Sequence, residues 1–166
     1  LFDLITVMAI EFQDGHSALP PGRHAATVEE VEAALVEGFP GSTRRRPLFE
    51  RWIAVREAIR RVTAVDSDWL DGSYVTKKSE PDDIDMLTIC DAAAIDGLDE
   101  PSRALLSGLV AREISRELHL CHSFLLVVYP EGHPAHAVYQ ASRQYWEDLF
   151  GHDRAGDPKG FLEIAE

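Results

Sequence analysis

The chain has 166 residues, 45% of them hydrophobic, enough to bury one substantial core but not two. A single domain is therefore expected over 1–166, with 1–26 as an N-terminal arm and 151–166 as a C-terminal tail. Twenty-nine acidic against 16 basic residues give a formal net charge of -13, which repels a long polyanion across most of the surface and argues against extended DNA binding. A mononucleotide, a short nucleic-acid end or a protein needs only a local basic patch.

Two cysteines, Cys90 and Cys121, each lie in an apolar stretch. That implies small buried thiols rather than a disulfide framework, and a reducing, cytoplasmic setting. The apolar opening from Leu4 to Ile10 is bounded by Asp3 and Glu11, lacks a basic flank and is far shorter than a membrane span. It reads as neither signal peptide nor anchor, and no membrane association is expected. A translation-start extension and a first strand both fit it.

Residues 12–26 carry Gly15, Pro20, Pro21 and Gly22 with little apolar periodicity, the composition of a loop or arm. Thr27-Val28-Glu29-Glu30 has the form of a capping box. Val28, Val31, Ala34 and Leu35 then recur at helical spacing until Gly38 and Pro40. A second helix is expected from Pro47 to Val62, with Leu48, Trp52, Val55, Ile59 and Val62 as its apolar stripe and Arg51, Arg56, Glu57 and Arg60 largely outside it. A short extended stretch ending at Trp69-Leu70 leads through a polar loop into Ile84–Cys90, which reads as a buried strand. Pro101 opens a third helix, with Leu105, Leu106, Leu109, Val110, Ile114 and Leu118 expected on its buried face. Phe124–Tyr129 is the clearest core strand, and 134–150 reads as a last helix packing through Val138, Tyr145, Trp146 and Leu149. This order of elements is that of an α+β domain.

Between the first two strands, Asp71-Gly72-Ser73 leaves one and Asp83-Ile84-Asp85 enters the next. Alternate strand residues share a face, so Asp83 and Asp85 project together while Ile84 and Met86 go to the core. Two carboxylates that close resist joint ionisation unless a cation lies between them. Mg²⁺ or Mn²⁺ suits such oxygen donors, with phosphates as further ligands. Gly72, lacking a Cβ, lets backbone amides approach a phosphate, and the Ser73 hydroxyl adds a hydrogen bond.

A Gly-Ser pair, a loop and an Asp-x-Asp flanked by apolar residues resemble the signature of the polymerase-beta-like nucleotidyltransferase superfamily. Leu19-Pro20-Pro21-Gly22, Thr27-x-x-Glu30, Asp71-Gly72-Ser73, Pro81-Asp82-Asp83-Ile84-Asp85 and Arg154–Gly160 look like a group of short bacterial and phage proteins. That group is related to the nucleotidyltransferase halves of toxin-antitoxin and abortive-infection systems. The resemblance implies a nucleotidyltransferase-type core, a small mixed β-sheet packed with helices. It implies transfer of a nucleoside monophosphate from a nucleoside triphosphate to an acceptor hydroxyl on a partner protein, a tRNA end or a small molecule. Asp83 and Asp85 would be the catalytic metal ligands, Gly72 and Ser73 the phosphate cradle, and Lys159 a further phosphate contact. Catalytic members usually carry a third carboxylate on the next core strand, whereas Cys121–Val128 contains no acid. His122, Ser123, Asp68 and Asp71 are the candidate stand-ins. The departure supports an alternative in which the domain has lost its chemistry and binds a nucleotide or a partner.

Other features admit two readings each. Lys77 and Lys78 either touch phosphates or solubilise an exposed loop. Arg44, Arg45 and Arg46 either bind a phosphate-bearing acceptor or an acidic partner, or are solvated ahead of a helix. His119, Cys121, His122, His133 and His136 have zinc-like proximity, which keeps a zinc-stabilised interaction protein as a third reading, although alternation sends Cys121 and His122 to opposite faces. Trp52, Trp69 and Trp146 are read as core or rim aromatics.

Overall fold

The computed structural model describes residues 10–111 and 119–165; Leu4 to Ala9, Ile114 and Leu118, for which expectations were stated, lie outside the described residues. In chain order the elements are β1 (Gly22–Ala26), α1 (Val28–Glu32, continued by a π-helical turn Ala33–Glu37), α2 (Arg45–Val62), β2 (Ser67–Asp71) and a 3-10 turn (Ser73–Val75). Then follow β3 (Ile84–Asp91), α3 (Ala92–Asp96), α4 (Glu100–Leu109), β4 (Cys121–Val128), α5 (His136–Phe150) and β5 (Gly160–Ala165). The fold is α+β: a five-stranded mixed sheet in the order β1-β5-β2-β3-β4, packed with helices. β1 with β5 and β3 with β4 are parallel, while β5 with β2 and β2 with β3 are antiparallel.

The capping box forms as its residues dictate. Thr27 Oγ1 accepts from the Glu30 amide at 3.2 Å, and the Glu30 carboxylate accepts from the Thr27 amide at 2.7 Å. α2 starts at Arg45, two residues before Pro47, because a proline is tolerated in the first helical turn. Its expected stripe is buried through Leu48, Trp52, Val55 and Ile59, and Phe49 and Arg45 are buried beside it.

Strand alternation divides the core between the two faces of the sheet. One face carries Leu70, Ile84, Met86, Cys90, Cys121, Leu162 and Ile164, packed with Val31, Leu35, Leu48, Trp52, Val55, Ile59 and Leu106. The other carries Trp69, Leu87, Ile89, Leu126 and Phe161 under Phe150 and Trp146 of α5. A fully buried side chain of this kind stabilises the fold by roughly 1.5–3 kcal/mol. Both cysteines are free and buried.

Three expectations, on residues 160–165, on residues 22–26 and on the packing faces of α4 and α5, are corrected. Residues 160–165 are not a tail but β5, between β1 and β2, with Phe161, Leu162 and Ile164 buried on alternate faces. Residues 22–26 are not loop but the edge strand β1 paired with it. The described part of the arm packs on its own domain: Leu19 is buried, Ile10 and Phe12 lie against the larger core, and Ala18 bridges Thr76. α5 faces the sheet through Tyr139, Trp146 and Phe150, leaving Val138, Tyr145 and Leu149 exposed; Leu105 of α4 is exposed likewise. Arg56 and Arg60, outside the apolar stripe of α2, turn their side chains onto Asp68. Among the described residues, no helix is long and apolar enough to cross a membrane.

Candidate functional site

Three strands bring one row of side chains together. Asp71 at the end of β2 pairs in register with Asp85 near the start of β3, and Asp85 pairs with His122 near the start of β4. Register partners share a face, so the three side chains lie in line across the sheet, on the face that α5 covers further along. His122 Nδ1 stands 2.9 Å from Asp85 Oδ1 and 3.9 Å from Asp83 Oδ2. Ile84 and Met86 turn into the opposite core and are fully buried, as the alternation required. Leu120, with φ 54°, turns the chain into β4, and its carbonyl accepts from the Ile84 amide at 3.1 Å, tying the starts of β3 and β4 together.

Gly72 leaves β2 at φ 82° and ψ -168°, a region essentially reserved for glycine. A Cβ there would stand 2.4 Å from Asp85 Oδ2. The residue thus has a use that sequence reasoning missed: it makes room for the Asp85 carboxylate. Ser73 follows, half-buried, at the head of the 3-10 turn, where its carbonyl accepts from Thr76 Oγ1 at 2.7 Å. Gly72, Ser73, Asp83 and Asp85, separated by the loop in sequence, therefore meet at one end of the sheet.

Lys159 comes in from the residue before β5. It is buried, and its Nζ donates to Asp71 Oδ1 and, at 2.7 Å, to the Phe150 carbonyl at the end of α5. Its charge enters the site through Asp71. Lys77 is not brought in: it is exposed, its Nζ donates to the Gln13 carbonyl at 3.2 Å, and it lies 5.7 Å from the Phe12 ring. Lys78 pairs with Asp82 at 3.0 Å.

Burial sets the electrostatics. It pushes the Asp71 carboxyl up from 3.8 to about 6, with Lys159 opposing the rise and Asp85 adding to it. The Asp85 carboxyl is also raised, first by burial and then by the neighbouring Asp83 charge, with the His122 hydrogen bond opposing. Carboxylates held up by burial and mutual repulsion become better ionised when a cation joins them.

The four candidate stand-ins separate by face. Asp68 and Ser123 point to the opposite side of the sheet. Asp68 is fully buried there, accepting from Arg56 Nε at 2.9 Å, Arg60 at 2.8 Å and Thr88 Oγ1 at 3.1 Å, and Ser123 pairs in register with Met86. Asp71 and His122 remain on the site face, flanking Asp85.

Neither reading of the arginine run holds for Arg45. Arg45 is fully buried and donates to the carbonyls of Leu35, Tyr74, Thr76 and Lys78 at 2.6 to 3.0 Å, with its guanidinium 3.8 Å from the Phe39 ring centroid. Arg44 donates to the Pro81 and Asp82 carbonyls, and Arg46 pairs with Glu32. Arg44 and Arg45 thus fix both ends of the loop between Ser73 and Asp83. A triplet of arginines ahead of a helix gives no local sign of this, because the loop carbonyls that Arg44 and Arg45 reach lie 29 to 38 residues away.

Two carboxylates and an imidazole nitrogen form a donor set suited to a divalent cation. Among the described residues, no group of three or more His, Cys, Asp or Glu side chains is placed so that it could hold a metal ion. Asp85 and His122 are hydrogen-bonded, and Asp83 stands 3.9 Å from the same imidazole nitrogen. The histidines of the zinc reading scatter: His136 Nδ1 lies 2.7 Å from the Tyr129 carbonyl, His133 stacks on Tyr129, and Cys121 is buried on the face opposite His122.

One family model, described as "Family of unknown function (DUF6932)", matches residues 10–165. No curated protein and no solved structure matches the chain significantly.

Proposed function

We infer that this chain, which belongs to the DUF6932 family across residues 10–165, is a metal-dependent nucleotidyltransferase that moves a nucleoside monophosphate from a nucleoside triphosphate to an acceptor hydroxyl. The observation that carries the reading is the convergence of the Gly72-Ser73 turn on the Asp83-Asp85 pair, with the Asp85 carboxylate in the space a side chain at residue 72 would fill. Asp83 and Asp85 would hold Mg²⁺ or Mn²⁺, which, when bound, neutralises phosphate charge and favours an ionised acceptor hydroxyl. The Gly72-Ser73 turn presents backbone amides and a hydroxyl to the phosphates. Lys159 holds Asp71 in its ionised form beside them, steadying the end of β2. In the transfer, the acceptor oxygen bonds to the α-phosphorus as the bond to pyrophosphate breaks. The acceptor proton passes to solvent, and positioning supplies most of the catalysis.

The surface charge of -13 favours a partner protein or a short tRNA end as acceptor over an extended nucleic acid. A cytoplasmic toxin-antitoxin or phage-defence setting belongs to the same reading through the resemblance. The second reading, a degenerate domain that binds a nucleotide or partner without transfer, is favoured by His122 standing where a third acid is usual. Incubation of the protein and a lysate of its source with triphosphates labelled at the α-phosphorus separates the two. Label transferred to an acceptor, and lost with Asp83→Asn, supports transfer; triphosphate bound but never consumed supports the second reading.

A further inference from the structure

We propose that this chain pairs with a second copy of itself through the outer edge of β4 and the adjoining flank of α5, an antiparallel β4–β4 contact that extends the sheet across a twofold axis. The proposal goes beyond the nucleotide reading and does not depend on it.

β4 ends the strand order β1-β5-β2-β3-β4, and among the described residues no strand lies beyond it. The Ile84 amide donates to the Leu120 carbonyl, and a parallel ladder repeats at every second residue, so the backbone groups of Leu125 and Val127 face away from β3. Such a row of amides and carbonyls is a template for another strand. Cys121–Val128 contains no proline, lysine, arginine or carboxylate, the residues with which edge strands ordinarily block pairing to a second chain. β1, at the other edge, is five residues long and carries Arg23 and His24.

The helix above this edge adds an apolar flank. Trp146 packs on Phe124 of β4, ring centroids 4.7 Å apart, while the Arg143 guanidinium lies 5.7 Å from the Trp69 ring of β2. At about 3.6 residues per turn, Val138, Tyr145 and Leu149 fall on the flank beyond Trp146, the one turned toward the open edge. They are 68%, 58% and 47% exposed, and Val138 and Tyr145 help to frame a groove that reaches Trp146.

Symmetry and size select the occupant. A foreign strand would satisfy the backbone of β4 and leave the α5 flank bare. A second copy, turned about an axis normal to the sheet, brings its own β4 and its own apolar flank, so each patch meets its equivalent. β4 is about 27 Å long, close to the width of roughly 28 Å that a patch of about 800 Å² per partner requires.

The test is sedimentation velocity of the whole chain across a concentration series, with circular dichroism to confirm the fold of each variant. The native chain should sediment as a dimer that dissociates on dilution. Tyr145→Glu should weaken the dimer by roughly tenfold or more. Val127→Pro, which removes an amide that β3 does not use, should do the same, since an edge strand tolerates proline where the amide faces outward. Gln140→Glu, on the opposite flank of α5, should leave the dimer unchanged. Because each copy carries a charge of -13, added salt screens the repulsion between them and should tighten the dimer. A dimer that survives either Tyr145→Glu or a folded Val127→Pro, or that weakens with salt, would overturn the proposal. A monomer at every concentration would also overturn it and leave the face to a strand of another protein.

Discussion

The Asp85 carboxylate lies in the space that a side chain at Gly72 would need: a Cβ there would come within 2.4 Å of Oδ2. The Gly-Ser turn and the Asp-x-Asp are therefore one unit, and substitution on one side must disturb the other.

Gly72→Ala is expected to destabilise the protein by roughly 1–3 kcal/mol from the backbone conformation alone, and further by pushing Asp85 aside. Gly22 is the control, because it also has a positive φ, of 113°, yet a Cβ there meets nothing within 4 Å. Urea unfolding should show Gly72→Ala well below Gly22→Ala. Equal losses would mean that the carboxylate yields at no cost.

The pH dependence of the metal-free protein follows from the two raised carboxyls. The unfolded chain ionises Asp71 near 3.8 and the folded chain only at about 6. In that window the folded state holds more protons, and stability falls as pH rises. Asp85, raised in the same direction, adds to the fall. Asp85→Asn should therefore gain stability relative to the native chain as pH is raised from about 4 to about 7. Urea midpoints at the two pH values check this; a gain that is larger at the acidic end would reverse the assigned sign.

Asp68 is a buried acid and Asp85 a half-buried one, and they lie on opposite faces of the sheet. Asp68→Asn leaves Arg56 and Arg60 without their shared partner and should cost about 3–5 kcal/mol while keeping Mn²⁺ affinity in the folded fraction. Asp85→Asn should do the reverse. Calorimetric unfolding together with metal titration distinguishes them, and loss of metal binding in a folded Asp68→Asn protein would contradict the face assignment.

Arg45→Met removes the donors to four carbonyls and should cost roughly 3 kcal/mol or more. Hydrogen exchange should quicken first around Thr76 and Lys78, in the loop that Arg45 braces. Uniform acceleration across the chain would argue against a local brace.

What was legible in the sequence was whatever is encoded locally. The Thr27 capping box, the apolar stripe of α2 and the apolar runs of β3 and β4 each carry their signal within one element, and each formed within a few residues of its expected bounds. The strands β1 and β5 were missed because they are each other's partners across more than 130 positions, and Gly22–Ala26 has no alternation of its own. The Phe161-Leu162-x-Ile164 run was the available signal for β5. In α5, two neighbouring apolar stripes compete, and only the sheet behind it selects Tyr139, Trp146 and Phe150 over Val138, Tyr145 and Leu149. The Gly72-Ser73 and Asp83-Asp85 pairs could be read from spacing. The roles of Asp71, His122, Lys159 and Arg45 could not, since each depends on strand register or on a carbonyl far along the chain.

The central claim is that Asp83 and Asp85, with the Gly72-Ser73 turn, bind a nucleoside triphosphate through a divalent cation. Thermal unfolding of the native chain and of the Asp83→Ala, Asp85→Ala double variant, with ATP, GTP, CTP or UTP and Mg²⁺ or Mn²⁺, tests it most directly, because a ligand of the native state must raise its stability. A rise in melting temperature that needs both metal and triphosphate, and is absent from a folded double variant, is the predicted result. An equal rise in the double variant, or none with any triphosphate in the native chain, would contradict it.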